Sequence, residues 1–385
     1  MAIRIEKPYL RQNGDSVSLC AQITIGACRS EAWFTVESEY GACLTDDRLD
    51  AFVVGVLTTA MRMGEDIVCE APLTRRLKYQ LEQYLIPPMA ANMEIYHPIA
   101  IHAPVTDEAL SCAGAVGTGW TGGVDCMYTL MHHIAAQEKS RRLTHLLIAS
   151  NGALESADNE AMLRTMARRA RQGIAKEYPL SVVTVSSNLH LIQDENYLAV
   201  AGFRLPAVVL ALQKLFGTFL NSGAYEFSRF SFVQENSAYY ELLPLFCFET
   251  DNTVFYSSGG NVTRIQKLQE LSEFPPARKY LHPCIYGREQ NCGQCGKCIR
   301  TQAALYALDK LEVFAEAFDV AAFYKNKDEI LAKVAVSAHS QHYAEVLQVM
   351  KQRGMELPPA AQRRVRILRA AKAAAEKARN EKELI

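Results

Sequence analysis

The period of hydrophobic and polar positions changes near residue 110. Ahead of it, alternation through VSLCAQITI puts Val17, Leu19, Ala21, Ile23 and Ile25 on one side of a strand, and Asn13-Gly14 just before it is a hairpin turn signal. Glu31 to Glu37 (EAWFTVE) predicts a third strand. Leu49, Phe52, Val53, Val56, Leu57 and Ala60 recur at helical spacing behind Thr45, an expected N-cap with Asp46 and Asp47 in the first turn. A second helix is expected from Pro72 to Ile86, stopped by Pro87-Pro88, and Ile95, His97, Ile99 and Ile101 predict one more strand. Together these elements predict an N-terminal α+β accessory domain over residues 1–105, in which no motif names a ligand.

From Leu110 onward strands and helices alternate. Ser111 to Trp120 is small and apolar enough for a buried strand, Val124 to Ile134 predicts a helix, and Leu143 to Ser150 a second strand. An arginine-rich helix from Ala157 to Lys176, a third strand from Leu180 to Ser187, a helix from Ala207 to Leu220 and a strand from Ala224 to Phe230 continue the series. Such alternation implies right-handed crossovers and a parallel sheet, with ligands gathering at the carboxyl ends of its strands. The expected fold class is therefore α/β, with a parallel-sheet nucleotide-binding domain over 106–301. A helical C-terminal region over 302–385 follows, with helices expected from Arg300 to Leu311 and through Phe314 to Met350.

Composition narrows the class. With 385 residues, 49% hydrophobic and 22% charged, the chain can bury a sizeable core in two or three units. A net charge of −1 supplies no global field for nucleic acid. The first residues, MAIRIEKPYLRQNG, lack an apolar signal core, and no run approaches the ~18 to 20 apolar residues of a membrane span. Eleven cysteines, an odd number, suit a reducing compartment. A soluble, cytoplasmic protein with no membrane partner is expected.

Two stretches carry candidate chemistry. In Thr121-Gly122-Gly123-Val124-Asp125-Cys126 the glycines fall at a strand-to-helix turn, where positive φ is cheap and a missing Cβ lets phosphate oxygens approach main-chain N–H groups. The following helix directs its N-terminal N–H groups and dipole at the same anion. Thr121 adds a hydroxyl, and Asp125 can hold a magnesium ion or orient a water; a plain tight turn is the competing reading. Ser150-Asn151 and Ser186-Ser187-Asn188 fall at strand ends and are candidates for adenine, ribose or substrate, against ordinary turn chemistry. Arg264 and Lys267 follow Ser257-Ser258-Gly259-Gly260 and, three apart, share a helix face where two cations could bind pyrophosphate; a solvated face is the alternative.

The second stretch is CIYGREQNCGQCGKCIR, Cys284 to Arg300. Cys284, Cys292, Cys295 and Cys298, at C-x7-C-x2-C-x2-C, can close a tetrahedron around zinc, with Gly287, Gly293 and Gly296 supplying turns. Four thiolates leave no open position for a water, which makes the site structural. An iron–sulfur cluster is the rival, although no fourth cysteine followed by proline comes after Cys298.

The glycine stretch resembles the SGGxDS loop of the ATP-pyrophosphatase (PP-loop, adenine nucleotide alpha hydrolase-like) superfamily, and the cysteine run resembles that of 7-cyano-7-deazaguanine synthase-like proteins. It spans roughly Leu110 to Thr301 and is strong at its two ends. Thr121 stands in place of the loop's first serine and Cys126 in place of its last, and the long flanks point to another substrate. The resemblance implies a PP-loop domain that uses ATP and Mg²⁺, with Zn²⁺ in the knuckle at 284–298. A cradle on the β- and γ-phosphates leaves the α-phosphorus open to attack by a carboxylate or amide oxygen, releasing pyrophosphate and giving an adenylate from which ammonia or an amine displaces AMP. Thr121, Gly122 and Gly123 would stabilise the pyrophosphate, Asp125 would place the metal, and Arg264 or Lys267 would bind phosphate. The acceptor, a small molecule or peptide, is not named by the sequence, and a homo-oligomer stays open.

Two alternatives remain. A tRNA or small-molecule sulfurtransferase would use the same adenylation with Cys126 or Cys112 as the thiol. A nonenzymatic nucleotide-binding module would use the knuckle and the basic tail, with Arg363, Arg364, Arg366 and Arg369, to hold a partner. For that tail an exposed charged helix competes with an RNA-phosphate contact.

Overall fold

The structure is a computed structural model that describes residues 2–150, 152, 159–193, 195–286 and 289–383, with the backbone alone at 159 and 375–383. Asn151 and Gly287 lie outside the described residues. The chain forms two compact units, one of Met1–Thr121 with Tyr128–Val262, the other of Gly122–Met127 with Thr263–Ile385. These bounds differ from 1–105, 106–301 and 302–385, for a reason visible in the sheet.

All strands among the described residues belong to the first unit: β1 Ile3–Ile5, β2 Tyr9–Asn13, β3 Ser16–Ile25, β4 Cys28–Glu37, β5 Ile67–Cys69, β6 Leu73–Thr74, β7 Ile101–His102, β8 Val105–Thr106, β9 Ala115–Gly119, β10 His145–Ser150, β11 Ser181–Ser187, β12 Phe216–Ser222 and β13 Val254–Ser258. Eleven of them make one sheet in the order β13-β12-β9-β10-β11-β4-β3-β1-β5-β7, with β2 on β3. The N-terminal strands thus extend the central sheet: β4 pairs antiparallel with β11, Val36 opposite Val185 and Phe34 opposite Ser187. A hydrophobic strand edge left unpaired is a liability, and β4 covers that of β11.

The five strands β13, β12, β9, β10 and β11 are mutually parallel. Their spatial order reverses between β9 and β12, which makes that pair the topological switch point, where open α/β sheets bind ligands at the strands' carboxyl ends. The molecule is therefore α/β with a large, mostly parallel central sheet.

Local chemistry explains most elements. Gly14, at φ +57°, turns β2 into β3 where Asn13-Gly14 predicts a hairpin. The first long helix is Asp50–Met63 rather than one capped by Thr45. Its Asp50 carboxylate is buried and accepts from the Thr74 N–H at 2.9 Å, the Thr74 hydroxyl at 2.6 Å and Gln213 Nε2 at 2.9 Å. Residues Asp50 to Met61 are all buried, so this helix is enclosed rather than amphipathic. Beyond helix Arg75–Gln80 the chain does not stop at Pro87-Pro88. A π turn, Leu81–Leu85, leads into helix Ile86–Asn92, whose first turn tolerates prolines because its N–H groups need no intrahelical acceptor.

Two later elements shift by about a turn or more from expectation. The helix is Tyr197–Ala211, not Ala207 to Leu220, and the strand is Phe216–Ser222, not Ala224 to Phe230. The run is apolar all round and carries no period to fix its ends; the Asn196 side chain, accepting from the Leu198 N–H at 3.0 Å, sets the start.

The second unit is helical among its described residues, with Arg264–Leu271, Pro275–Tyr280, Gly296–Ala307, Val320–Lys325, Lys327–Val336, Gln341–Gln352 and Pro359–Glu383. A capping box of Thr263 and Gln266 starts the first of these. Ala332, Ala335 and Val365 pack together where helix Lys327–Val336 meets Pro359–Glu383, while Arg363, Arg364, Arg366 and Arg369 are exposed. No helix among the described residues is long and apolar enough to cross a membrane.

Candidate functional site

Strand β9 ends at Gly119, and after buried Trp120 the chain reaches Thr121, exposed, with its carbonyl accepting from Arg169 Nη2 at 3.1 Å. Gly122 adopts φ +80°, a conformation that glycine takes without strain. Helix Val124–His133 follows at once, and the Gly123 carbonyl accepts from the Met127 N–H at 3.0 Å. The glycine pair therefore sits at a strand-to-helix turn, with a helix N-terminus behind it. Val124 is buried, and Cys126 is buried with its thiol donating to the Gly123 carbonyl at 3.3 Å.

Within the second unit this loop meets helix Arg264–Leu271. Asp125 Oδ2 accepts from Arg264 Nη1 at 2.8 Å, and Oδ1 from Lys267 Nζ at 3.0 Å. The two cations are nearly sealed from solvent, 7% and 1% exposed against 23% for the carboxylate. They are not a solvated face. Desolvation alone would raise the Asp125 carboxyl, but Arg264 and then Lys267 outweigh it and hold it well below the usual carboxylate range.

Further basic side chains stand close to this trio. His342 is held neutral, its pKa pushed down to about 3 by burial first and then by Arg264 and Arg300. Lys297 is lowered by desolvation first, then by Arg300 and Arg264. Arg264 Nε is buried and has no hydrogen-bond partner among the described residues. Basic side chains gathered near a helix N-terminus, with the Arg264 Nε donor left over, have the chemistry that suits an anion. Lys297, Arg300 and His342 escaped sequence reasoning. For the first two a signal existed, since they flank Cys298 just where a helix is expected to begin at Arg300; for His342 there was none.

The strand-end candidates of the first unit divide. Ser150 lies half-buried at the carboxyl end of β10, opposite Ser186 of β11. Ser187 is buried, its hydroxyl accepting from the Leu189 N–H at 3.2 Å, which is turn chemistry. Asn188 clamps β4 instead of facing a ligand: Oδ1 accepts from the Trp33 N–H at 2.9 Å and Nδ2 donates to the Glu31 carbonyl at 2.7 Å.

Cys284, Cys292, Cys295 and Cys298 converge, their sulfurs all within 4.8 Å of one another. The Cys292 and Cys298 sulfurs are 4.0 Å apart. A tetrahedral zinc site with bonds of about 2.3 Å has edges of about 3.8 Å, so the donor set and its spacing suit such an ion. The Cys295 N–H points at Cys292 Sγ, 3.2 Å, and the Cys298 N–H at Cys295 Sγ, 3.4 Å, both favouring thiolate. A hydrogen bond from Cys298 leads the causes that lower Cys295 to about 4. The cluster could hold a metal such as zinc.

Compared with models of known protein families, with curated proteins and with solved structures, the chain matches none.

Proposed function

We propose that this protein is an ATP-dependent adenylating enzyme of the cytoplasm, cleaving ATP to AMP and pyrophosphate to activate a carboxylate or amide oxygen for attack by ammonia or an amine. The observation that carries this reading is the pairing of Asp125, in the first turn after the Gly122-Gly123 loop, with the sealed cations Arg264 and Lys267. A pyrophosphate leaving group gathers negative charge as the α-phosphorus bond breaks, and fixed cations that need no reorganisation stabilise that charge most. In this reading Asp125 orients Arg264 and Lys267, the glycine loop cradles the phosphates with Thr121 as a hydroxyl donor, and Mg²⁺ enters on the nucleotide. Strand β9, which leads into the loop, borders the switch point of a parallel sheet, and that topology supports nucleotide binding in general. Amide or nitrile formation is the reaction class; the acceptor is a small molecule or peptide. The sulfur-transfer alternative draws less support, because the Cys126 thiol is buried and spent on the Gly123 carbonyl.

Incubation of the protein with α-labelled ATP, Mg²⁺, ammonia and pooled carboxylates tests the proposal. AMP and pyrophosphate are expected, and Arg264→Ala abolishes them. ADP as product, or nucleotide bound without cleavage across a broad acceptor panel, overturns the adenylation reading and leaves a nucleotide-binding module.

A further inference from the structure

The cysteine cluster and the glycine loop, distant in sequence, are joined by a short hydrogen-bonded path inside the second unit. Its centre is Asn291, the residue before ligand Cys292. Asn291 Oδ1 accepts from the Cys284 N–H at 3.2 Å, and Nδ2 donates to the carbonyls of Leu281 at 2.9 Å and Ala317 at 2.8 Å. One amide thus fastens the segment leading into the first ligand, Cys284, to the segment carrying the other three. Within that fastened segment the His282 N–H donates to the Gly122 carbonyl at 2.6 Å. Gly122 O and Gly123 N–H belong to the same planar trans peptide and point in opposite directions. Holding the carbonyl toward His282 therefore fixes the direction in which the Gly123 N–H is presented.

A second path runs through helix Gly296–Ala307. Its N-cap is the ligand Cys295, whose sulfur accepts from the N–H of the ligand Cys298. The helix packs against Arg264–Leu271 and Gln341–Gln352, and the Tyr343 hydroxyl donates to the Gly296 carbonyl at 3.0 Å. Lys297 and Arg300 stand on its first two turns.

We propose that a metal ion on Cys284, Cys292, Cys295 and Cys298 positions the glycine loop, through Asn291 and the His282 N–H, so that metal loading sets the loop's competence to bind an anion. Its anion-binding part rests on the adenylation reading; the positioning itself does not. Drawing the four sulfurs onto one ion holds Cys284 against Asn291, which holds Leu281 and hence His282. Without the ion, the four sulfurs lose their common centre, the 281–284 segment loosens, and the Gly122 peptide loses the partner that orients it. Asn291 and His282 are positioning residues in this scheme, and neither is a metal ligand.

The test uses the full chain in three forms: zinc-loaded, zinc-stripped by a chelator, and zinc-loaded Asn291→Ala with its zinc content measured. Amide hydrogen exchange is read over Gly122 to Met127, with the strands β9 to β13 as an internal control. The expected result is exchange about tenfold faster at the loop in both the stripped and the Asn291→Ala proteins, a loss of ~1.4 kcal/mol of local stability, with strand exchange unchanged. Affinity for inorganic pyrophosphate falls about tenfold in the same two forms. Loop exchange that ignores both zinc removal and Asn291→Ala overturns the inference, as does a stripped protein that loosens while zinc-loaded Asn291→Ala does not. Should stripping also speed the strands, zinc-loaded Asn291→Ala alone decides. A zinc-loaded protein that binds no pyrophosphate sinks the adenylation reading, while the exchange measurement still decides the positioning.

Discussion

Asp125 and Arg264 meet at 2.8 Å although 139 positions separate them in sequence. The contact joins the first turn of one helix to the first turn of another, and Lys267, one turn further along, takes the remaining carboxylate oxygen at 3.0 Å. One carboxylate therefore meets two cations in a place where solvent scarcely reaches them.

Removing that carboxylate should cost more than an exposed ion pair would. Asp125→Asn takes the carboxylate away from buried Arg264 and Lys267, and breaking a buried pair costs roughly 3 to 5 kcal/mol. The expected outcome is a lower urea midpoint for the second unit, partly restored when Lys267→Met is added. Equal stability of Asp125→Asn and the parent chain would show that the cations find another anion or solvent.

Acid should weaken the second unit early. His342 is depressed to about 3 in the folded state, whereas an unfolded histidine takes its proton near ~6.5. Its contribution is fully present above ~6.5 and is lost as pH falls from there toward the folded value, roughly 2 kcal/mol by pH 5. Asp125 is also depressed, so its share persists to lower pH: present above ~3.9 and lost as pH falls through its folded value. Urea unfolding at pH 7 and pH 5 measures the first loss, and His342→Gln should flatten it.

Gly122 carries the one backbone conformation in the loop that a side chain resists. At φ +80° a Cβ costs about 1 to 2 kcal/mol, so Gly122→Ala should lower thermal stability modestly and weaken pyrophosphate binding by more than stability alone explains. Titration calorimetry on the folded variant checks this. Undiminished affinity would mean that the turn is a plain one.

Short-range chemistry was legible in the residues themselves. Asn13-Gly14 specified its hairpin, Gly122-Gly123 its strand-to-helix turn, and the C-x7-C-x2-C-x2-C spacing its converging thiols, because each depends on a few dihedrals or a short spacer. The alternation after residue 110 likewise specified a parallel sheet. Other properties arose only in the folded chain. Alternation marks β3 and β4 as strands but cannot say that β4 completes the edge of β11, because that pairing is chosen by distant partners. Asn188 looked like a ligand-side residue at a strand end, yet the same pairing turned both ends of its amide toward β4. Arg264 and Lys267 at i and i+3 mark one helix face in any sequence. Whether that face is solvated or sealed against Asp125 depends on desolvation and on a partner 139 positions away, and only tertiary packing supplies those.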